Sequence, residues 1–225
     1  VEKGVHIISM SWTVNEPQDG RKTRLDEALS NASKKGILMF CSSPDEGVYG
    51  GDHYPTAYGP DKFFRIGASQ ADGHPYSWVL LDKVDYLFPG VDVVQANKKD
   101  IRLRGVEDRK GETGSSISTA LAAGLAALVI WFVIIGAKYS WDENQGGVGG
   151  DGLDANDVKT IQHIKEMKQA FKKLGASRES NEKFIEIWSV LDDRARALKE
   201  LHGDQNVKAA RQVIHKLARN LIVKT

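Results

Sequence analysis

From Ile117 to Ala137 the chain carries no charged residue, and Leu, Ile, Val, Ala and Phe dominate the run. Such a stretch has two stable settings. It can cross a bilayer, or it can lie in the middle of a protein with neighbours on most sides. What precedes it favours the second. Gly114-Ser115-Ser116 is a small, polar entry suited to a tight turn, and Ser118 to Gly124 is small rather than bulky, which suits close packing against strands. A membrane-anchored protein is the rival reading, and no membrane association is expected.

The segments before that run supply strands. Val5 to Met10, Ile37 to Cys41 and Phe63 to Ala68 are short apolar runs bounded by glycine or polar residues. Between the first two, Leu25, Ala28, Leu29 and Ala32 recur at helical spacing within Arg24 to Lys35, and Gly36 stops the helix. Strand, helix, strand in this order predicts a parallel pair with a right-handed crossover. Asp85 to Phe88 and Val91 to Val94, split by Pro89-Gly90, read as two shorter strands.

Past Ala137 the composition changes. Residues 141–157 are rich in Gly, Asp and Asn and read as a linker. The spacing of an EF-hand loop and its closing glutamate are absent, so no metal is expected there. From Val158 onward, apolar residues recur every three or four positions in three sets, one of them Phe184, Ile187, Trp188, Leu191, Ala195 and Leu198. Gly175 and Gly203 separate the sets, which predicts a helical hairpin or small bundle. The fold class is therefore α/β. A three-layer domain with a mostly parallel sheet spans 1–140, a linker spans 141–157, and a helical extension spans 158–225.

A formal net charge of +1 gives no basic surface for nucleic acid. The single cysteine, Cys41, excludes an internal disulfide framework and reads as a buried thiol. Val1 to Gly4 reads as the end of a helix, so the chain is expected to begin inside one, as a fragment of a longer protein.

The chemistry concentrates at Gly114-Ser115-Ser116-Ile117-Ser118-Thr119-Ala120-Leu121-Ala122-Ala123-Gly124. A turn of small residues delivers a serine to a helix N-terminus, where unpaired N–H groups and the positive dipole end can face a developing oxyanion. A serine in that place also serves as an ordinary helix cap. The residues alone leave both readings open.

This segment resembles the Gly-Thr-Ser-Met-Ala-Thr-Pro-His-Val-Ala-Gly signature of subtilisin-like serine peptidases, the subtilases. Ala120 and Leu121 depart from it at the proline and histidine positions. Four further segments follow in the family's order. Ile7 to Trp12 resembles the Ile-Asn-Met-Ser strand. Ile37 to Gly47 resembles Val-Val-Ala-Ala-Gly-Asn-Glu-Gly. Ile66-Gly67-Ala68 resembles the Val-Gly-Ala strand, and Phe88 to Val91 the Ala-Pro-Gly-Val turn. The resemblance covers about Val1 to Ile135. It implies a subtilisin-like fold cut before its N-terminal strands and a serine-type endopeptidase that acts on peptide or protein substrates without a cofactor.

The resemblance also implies roles. Ser116 falls on the nucleophile, and Asp45 on the oxyanion-hole position where asparagine is usual. Ser11, Trp12 and Thr13 form one wall of the substrate cleft, and Ser42 and Ser43 the other. A serine nucleophile needs a histidine base and a carboxylate to orient it. None of His6, His53, His74, His163, His202 and His215 sits in the family's histidine context, and His53 reads as part of a surface loop. The triad histidine and aspartate are therefore expected upstream of Val1. The alternative is a catalytically inactive, subtilase-like interaction module whose helical tail makes the contacts.

Overall fold

The computed structural model describes residues 3–47, 53–94, 111–143, 152–175, 183–199 and 206–222. Residues 144–151 of the expected linker, the first two residues of the expected N-terminal helix, and His202 and Gly203 lie outside the described residues.

Four strands form one parallel sheet in sequence order: β1 (Ile7–Met10), β2 (Leu38–Ser42), β3 (Phe64–Ser69) and β4 (Tyr86–Pro89). Every residue of β2 is buried, because successive side chains feed opposite layers. Leu38 and Phe40 enter the core beneath α2 (Ser115–Glu143), while Met39 and Cys41 pack with Leu29 and Ala32 of α1 (Gly20–Lys34). Helix, sheet, helix is the three-layer α/β arrangement, and the β1-α1-β2 unit is as expected. Val91 to Val94 is not a strand of this sheet. Val93 makes only an isolated antiparallel bridge to Glu112, because the chain turns away at Gly90 to reach α2.

Helix α2 is 29 residues long, and its most apolar window has a mean hydropathy of 2.5, with half of that window buried inside the protein. Ala122, Ala126, Val129 and Val133 are its fully buried seam. It touches all four strands.

The C-terminal part is α3 (Ala155–Thr160), α4 (Ile164–Lys173), α5 (Trp188–Lys199) and α6 (Asn206–Leu221). Both ends of the stretch read as a linker are helical: Trp141 to Glu143 continue α2, and Ala155 opens α3 behind a capping box between Asp154 and Asp157. The periodic run from Val158 to Leu174 breaks at Ile161–His163 into two helices. Phe184 and Ile185, expected in a helix, are extended instead. The Leu87 N–H donates to the Lys183 carbonyl at 2.8 Å, and the Ile185 N–H donates to the Leu87 carbonyl at 3.1 Å. This segment thereby covers the outer edge of β4, whose unpaired backbone groups explain the departure from helix.

The extension shares the sheet's core. Phe171 of α4 lies in a ring of aromatics, with centroids 5.6 Å from Phe64, 5.5 Å from Tyr86 and 6.0 Å from Phe88. Beside it, Asp85 accepts from Arg65 at 2.7 Å and from Lys168 of α4 at 3.1 Å, tying sheet to extension. Burial favours the neutral acid at Asp85. The Arg65 hydrogen bonds and the Lys168 charge outweigh it and hold the carboxyl below its ordinary range.

Two outcomes follow for the intact chain. Phe171→Ala removes the hub of the aromatic ring and is expected to cost about 3–5 kcal/mol, read by urea unfolding. Asp85 contributes fully above its unfolded pKa of about 4, and the contribution disappears as pH falls through the lower folded value. Asp85→Asn is expected to cost about 2 kcal/mol at neutral pH and to flatten the acid limb of a stability-against-pH curve.

Candidate active site

The C-terminal ends of parallel strands gather loops at one edge of the sheet, and α2 starts there. Every strand, or the segment that leaves it, bonds to the first turn of this helix. At the end of β1, Ser11 Oγ donates to the Ser116 carbonyl at 2.9 Å, and Ser116 Oγ donates to the Ser11 carbonyl at 3.2 Å. Beyond β2, the Asp45 carboxylate accepts from the Ser115 N–H at 2.7 Å and from the Ser115 hydroxyl at 2.5 Å. From β3, the Ala68 N–H donates to Ser115 Oγ at 2.9 Å. At the end of β4, Ser118 Oγ lies 2.9 Å from the Phe88 carbonyl and 3.1 Å from that of Pro89.

Two glycine-bearing turns make this convergence possible. A Cβ on Gly90 would stand 2.2 Å from Ser118 Oγ and 2.8 Å from the Ala68 Cβ, so only glycine lets β4 meet α2 here. The Gly114 N–H then donates to the Gly90 carbonyl at 2.8 Å and fixes the entry to the helix.

The two adjacent serines differ completely. Ser115 is fully buried, and its hydroxyl both accepts from Ala68 and donates to Asp45. Ser116 is exposed at the mouth of the site, with its hydroxyl on the Ser11 carbonyl. From the sequence, Ser115 reads only as one of two serines able to cap the helix; its bonds to Asp45 and Ala68 come from segments far away in the chain.

Asp45 adopts a left-handed backbone with φ of 53°, which aspartate tolerates better than most residues. That turn points its carboxylate at α2. Both oxygens act as acceptors toward Ser115, and the negative charge sits at the positive end of the helix. Trp12 is exposed, Thr13 half-buried, and Ser42 and Ser43 buried. β1 and β2 pair through Met10 and Cys41, so Ser11 to Thr13 leave the sheet beside Ser42, the last residue of β2, and Ser43.

Next to Ser42 and Ser43 lies a pocket of about 190 Å³ walled also by Pro44, Glu46, His53 and Trp78. His53 is not in a surface loop. It is 9% exposed, and its Nε2 stands 3.5 Å from the Glu46 carboxylate. The neighbouring Tyr54 pairs antiparallel with Val14, with N–H···O distances of 2.9 and 3.1 Å, and this draws the segment inward. Among the described residues, no histidine hydrogen-bonds Ser116. His74 pairs with Asp72, and His215 contacts the Gly136 carbonyl and Ser140. Ser140 is some 36 Å along α2 from the site at about 1.5 Å per residue. Cys41 is wholly buried, and burial pushes its thiol far up. No cluster of metal-ligating side chains occurs among the described residues.

The sequence of the subtilase family matches residues 1–145, and the chain belongs to that family. Comparison with curated proteins returns no match. Among solved structures, the chain is similar to the prenylagaramide maturation protease PagA at 16% identity and a TM-score of 0.50, covering 85% of this chain and 62% of that one. It is also similar to the patellamide maturation protease PatA at 19% identity and a TM-score of 0.48, covering 83% and 61%. A third is the PatG macrocyclase in complex with peptide, at 16% identity and a TM-score of 0.44, covering 83% and 51%. The chain thus spans less than two thirds of the solved chains it resembles.

The different settings of the two serines predict different costs. Ser115→Ala removes the hydroxyl from one Asp45 oxygen and from the Ala68 N–H, and is expected to lose about 1–3 kcal/mol. Ser116→Ala touches one exposed bond and is expected to change stability by no more than about 0.5 kcal/mol. Urea melts of both variants compare them directly.

Proposed function

We propose that Ser116 is the nucleophile of a serine endopeptidase whose base histidine and orienting aspartate are encoded upstream of Val1. The observation that carries this is the exposure of the Ser116 hydroxyl at the start of α2, at the edge of the sheet where β1 and β2 deliver their loops. A peptide binds extended between Ser11–Thr13 and Ser42–Ser43, its main chain adding to these segments. The histidine takes the Ser116 proton as Oγ attacks the scissile carbonyl, then returns it to the leaving amine, and water releases the acyl group.

The oxyanion faces the Ser116 N–H in the first turn of α2, between the Ser115 N–H that Asp45 takes and the Ile117 N–H that the Gly114 carbonyl takes. Asp45 holds the oxyanion-side position that the resemblance gives it. With both oxygens accepting from Ser115, its part is to fix the turn that aims the Ser116 N–H. No cofactor takes part.

A second reading is an inactive interaction module, favoured by the lack of a histidine on Ser116 among the described residues. One experiment separates the two. A protein extended upstream to include the histidine and aspartate is expected to hydrolyse a casein-derived peptide, with Ser116→Ala lowering kcat by about 10⁴-fold or more. The 225-residue chain by itself is expected to show no Ser116-dependent turnover. Absence of turnover in the extended protein favours the interaction module.

A further inference from the structure

The pocket beside Ser42 and Ser43 has a size and a charge that select what enters it. Its volume of about 190 Å³ is below the roughly 300–1,000 Å³ of sites that enclose whole small molecules, and it suits one amino-acid side chain. Pro44 and Glu46 both stand in its wall, and Asp45, between them, holds Ser115. The pocket therefore lies along the peptide path close to Ser116. An extended peptide on Ser42–Ser43 points successive side chains to opposite sides, so one of those nearest the scissile bond can enter.

The walls divide by chemistry. Ala57, Pro60, Trp78 and Leu80 offer apolar surface for a methylene stem. The charged walls are Arg65, Lys83 and Glu46, with His53 beside Glu46. Arg65 is the group left short of partners. Its side chain is 24% exposed, and of its five N–H donors one on Nη2 meets Asp85 at 2.7 Å. Its Nε is buried with no hydrogen-bond partner among the described residues. Asp85 does not balance it, because the same carboxylate also accepts from Lys168 at 3.1 Å. Two cations share one carboxylate, and the surplus positive charge stands at the pocket wall. Glu46 offsets little of it. Its side chain is 51% exposed and screened by water, and its carboxylate lies 3.5 Å from His53 Nε2.

We infer that this pocket selects peptides with a glutamate or aspartate next to the scissile bond, whose carboxylate is received by Arg65 and Lys83. The inference rests on the peptidase reading of Ser116 and names its substrate class. A carboxylate brings acceptors to the guanidinium in charge-assisted hydrogen bonds. Other side chains fare worse. Lysine or arginine would set a third cation against Arg65 and Lys83. Leucine would fill the space but take the guanidinium out of water without giving it an acceptor. Glutamine has the shape of glutamate without its charge, which makes it the sharpest comparison.

The test uses the upstream-extended protein and peptides that differ only in carrying Glu, Gln, Lys or Leu at each of the positions nearest the cleaved bond. At one of those positions kcat/KM for Glu is expected to exceed that for Gln by about 10- to 100-fold. Arg65→Lys keeps a cation for Asp85 but loses the planar fork, and is expected to lower the Glu-to-Gln ratio about tenfold. Lys83→Gln is expected to lower it as well. Glu46→Gln removes the opposing charge at the rim and is expected to raise it about twofold or more, a change that a purely structural Arg65 would not produce. Melting temperatures show whether each variant folds. In a second readout, fluorescence anisotropy of the labelled Glu and Gln peptides on the 225-residue chain is expected to show the Glu peptide bound about tenfold more tightly.

A Glu-to-Gln ratio near one at every position overturns the inference. So does a preference for Lys or Leu, or an acid preference indifferent to Arg65→Lys, Lys83→Gln and Glu46→Gln. Ser116-dependent hydrolysis with no acid preference keeps the peptidase reading and removes the pocket's selectivity. Tighter binding of the Glu peptide that Arg65→Lys weakens, with no Ser116-dependent hydrolysis, keeps the pocket as a site for acidic side chains and removes the peptidase reading.

Discussion

The Ser115 side chain is the junction on which this architecture depends. Its hydroxyl accepts from β3 through Ala68 and donates to the loop after β2 through Asp45, while its own N–H meets the second Asp45 oxygen. These bonds form where water is excluded, so each is strengthened by its surroundings and each would be costly to leave unmade. They solve a specific problem. A long apolar helix packed along its length on a sheet has little to fix its position along its own axis, since small side chains slide past one another at small cost. The Ser115 network sets that position at one end. Ser116 inherits its place, one residue further on, where the helix emerges from the core.

The same helix is held toward its far end by α3 and α6, with Leu153 and Ala218 against Gly136. Phe171 and its aromatic neighbours, with the Arg65–Asp85–Lys168 group at their margin, attach the C-terminal helices to the sheet face that α2 leaves open. The extension is therefore part of the hydrophobic core. Its extended segment at Lys183 to Ile185 also closes the β4 edge of the sheet.

Much of this was legible from residue order. The alternation in Leu38-Met39-Phe40-Cys41 and the small-residue face of α2 both follow from simple periodicities, and the parallel sheet followed from strand, helix, strand. The turn that carries Ser116 into α2 was legible because it is local in sequence. What failed was non-local. His53 reads as a loop histidine because its burial is made by Val14, which pairs with its neighbour Tyr54 from nearly forty positions earlier. Phe184 fits a helical stripe as well as it fits a strand, and only the open edge of β4 decides between them. Asp45 was identified by position, but its bonding to Ser115 depends on a left-handed turn that no periodicity reveals. The C-terminal end of the Gly- and Asp-rich stretch read as linker because composition does not report the capping box at Asp154.

The arrangement of α2 and α6 has a consequence during synthesis. α2 is complete at Glu143, but the helix that packs along it ends at Leu221. At about 5–20 residues per second, roughly 4–16 s pass between the translation of those two points. Throughout that interval the ribosome carries a 29-residue helix with a mean hydropathy of 2.5 in its central window, lacking one of its covers. Factors that survey nascent chains respond to hydropathy and have no access to the finished fold. For those seconds the segment offers the same features as a membrane-targeting sequence, so the pace of translation through residues 144–221 helps decide whether α2 is captured by such factors or folded against α6.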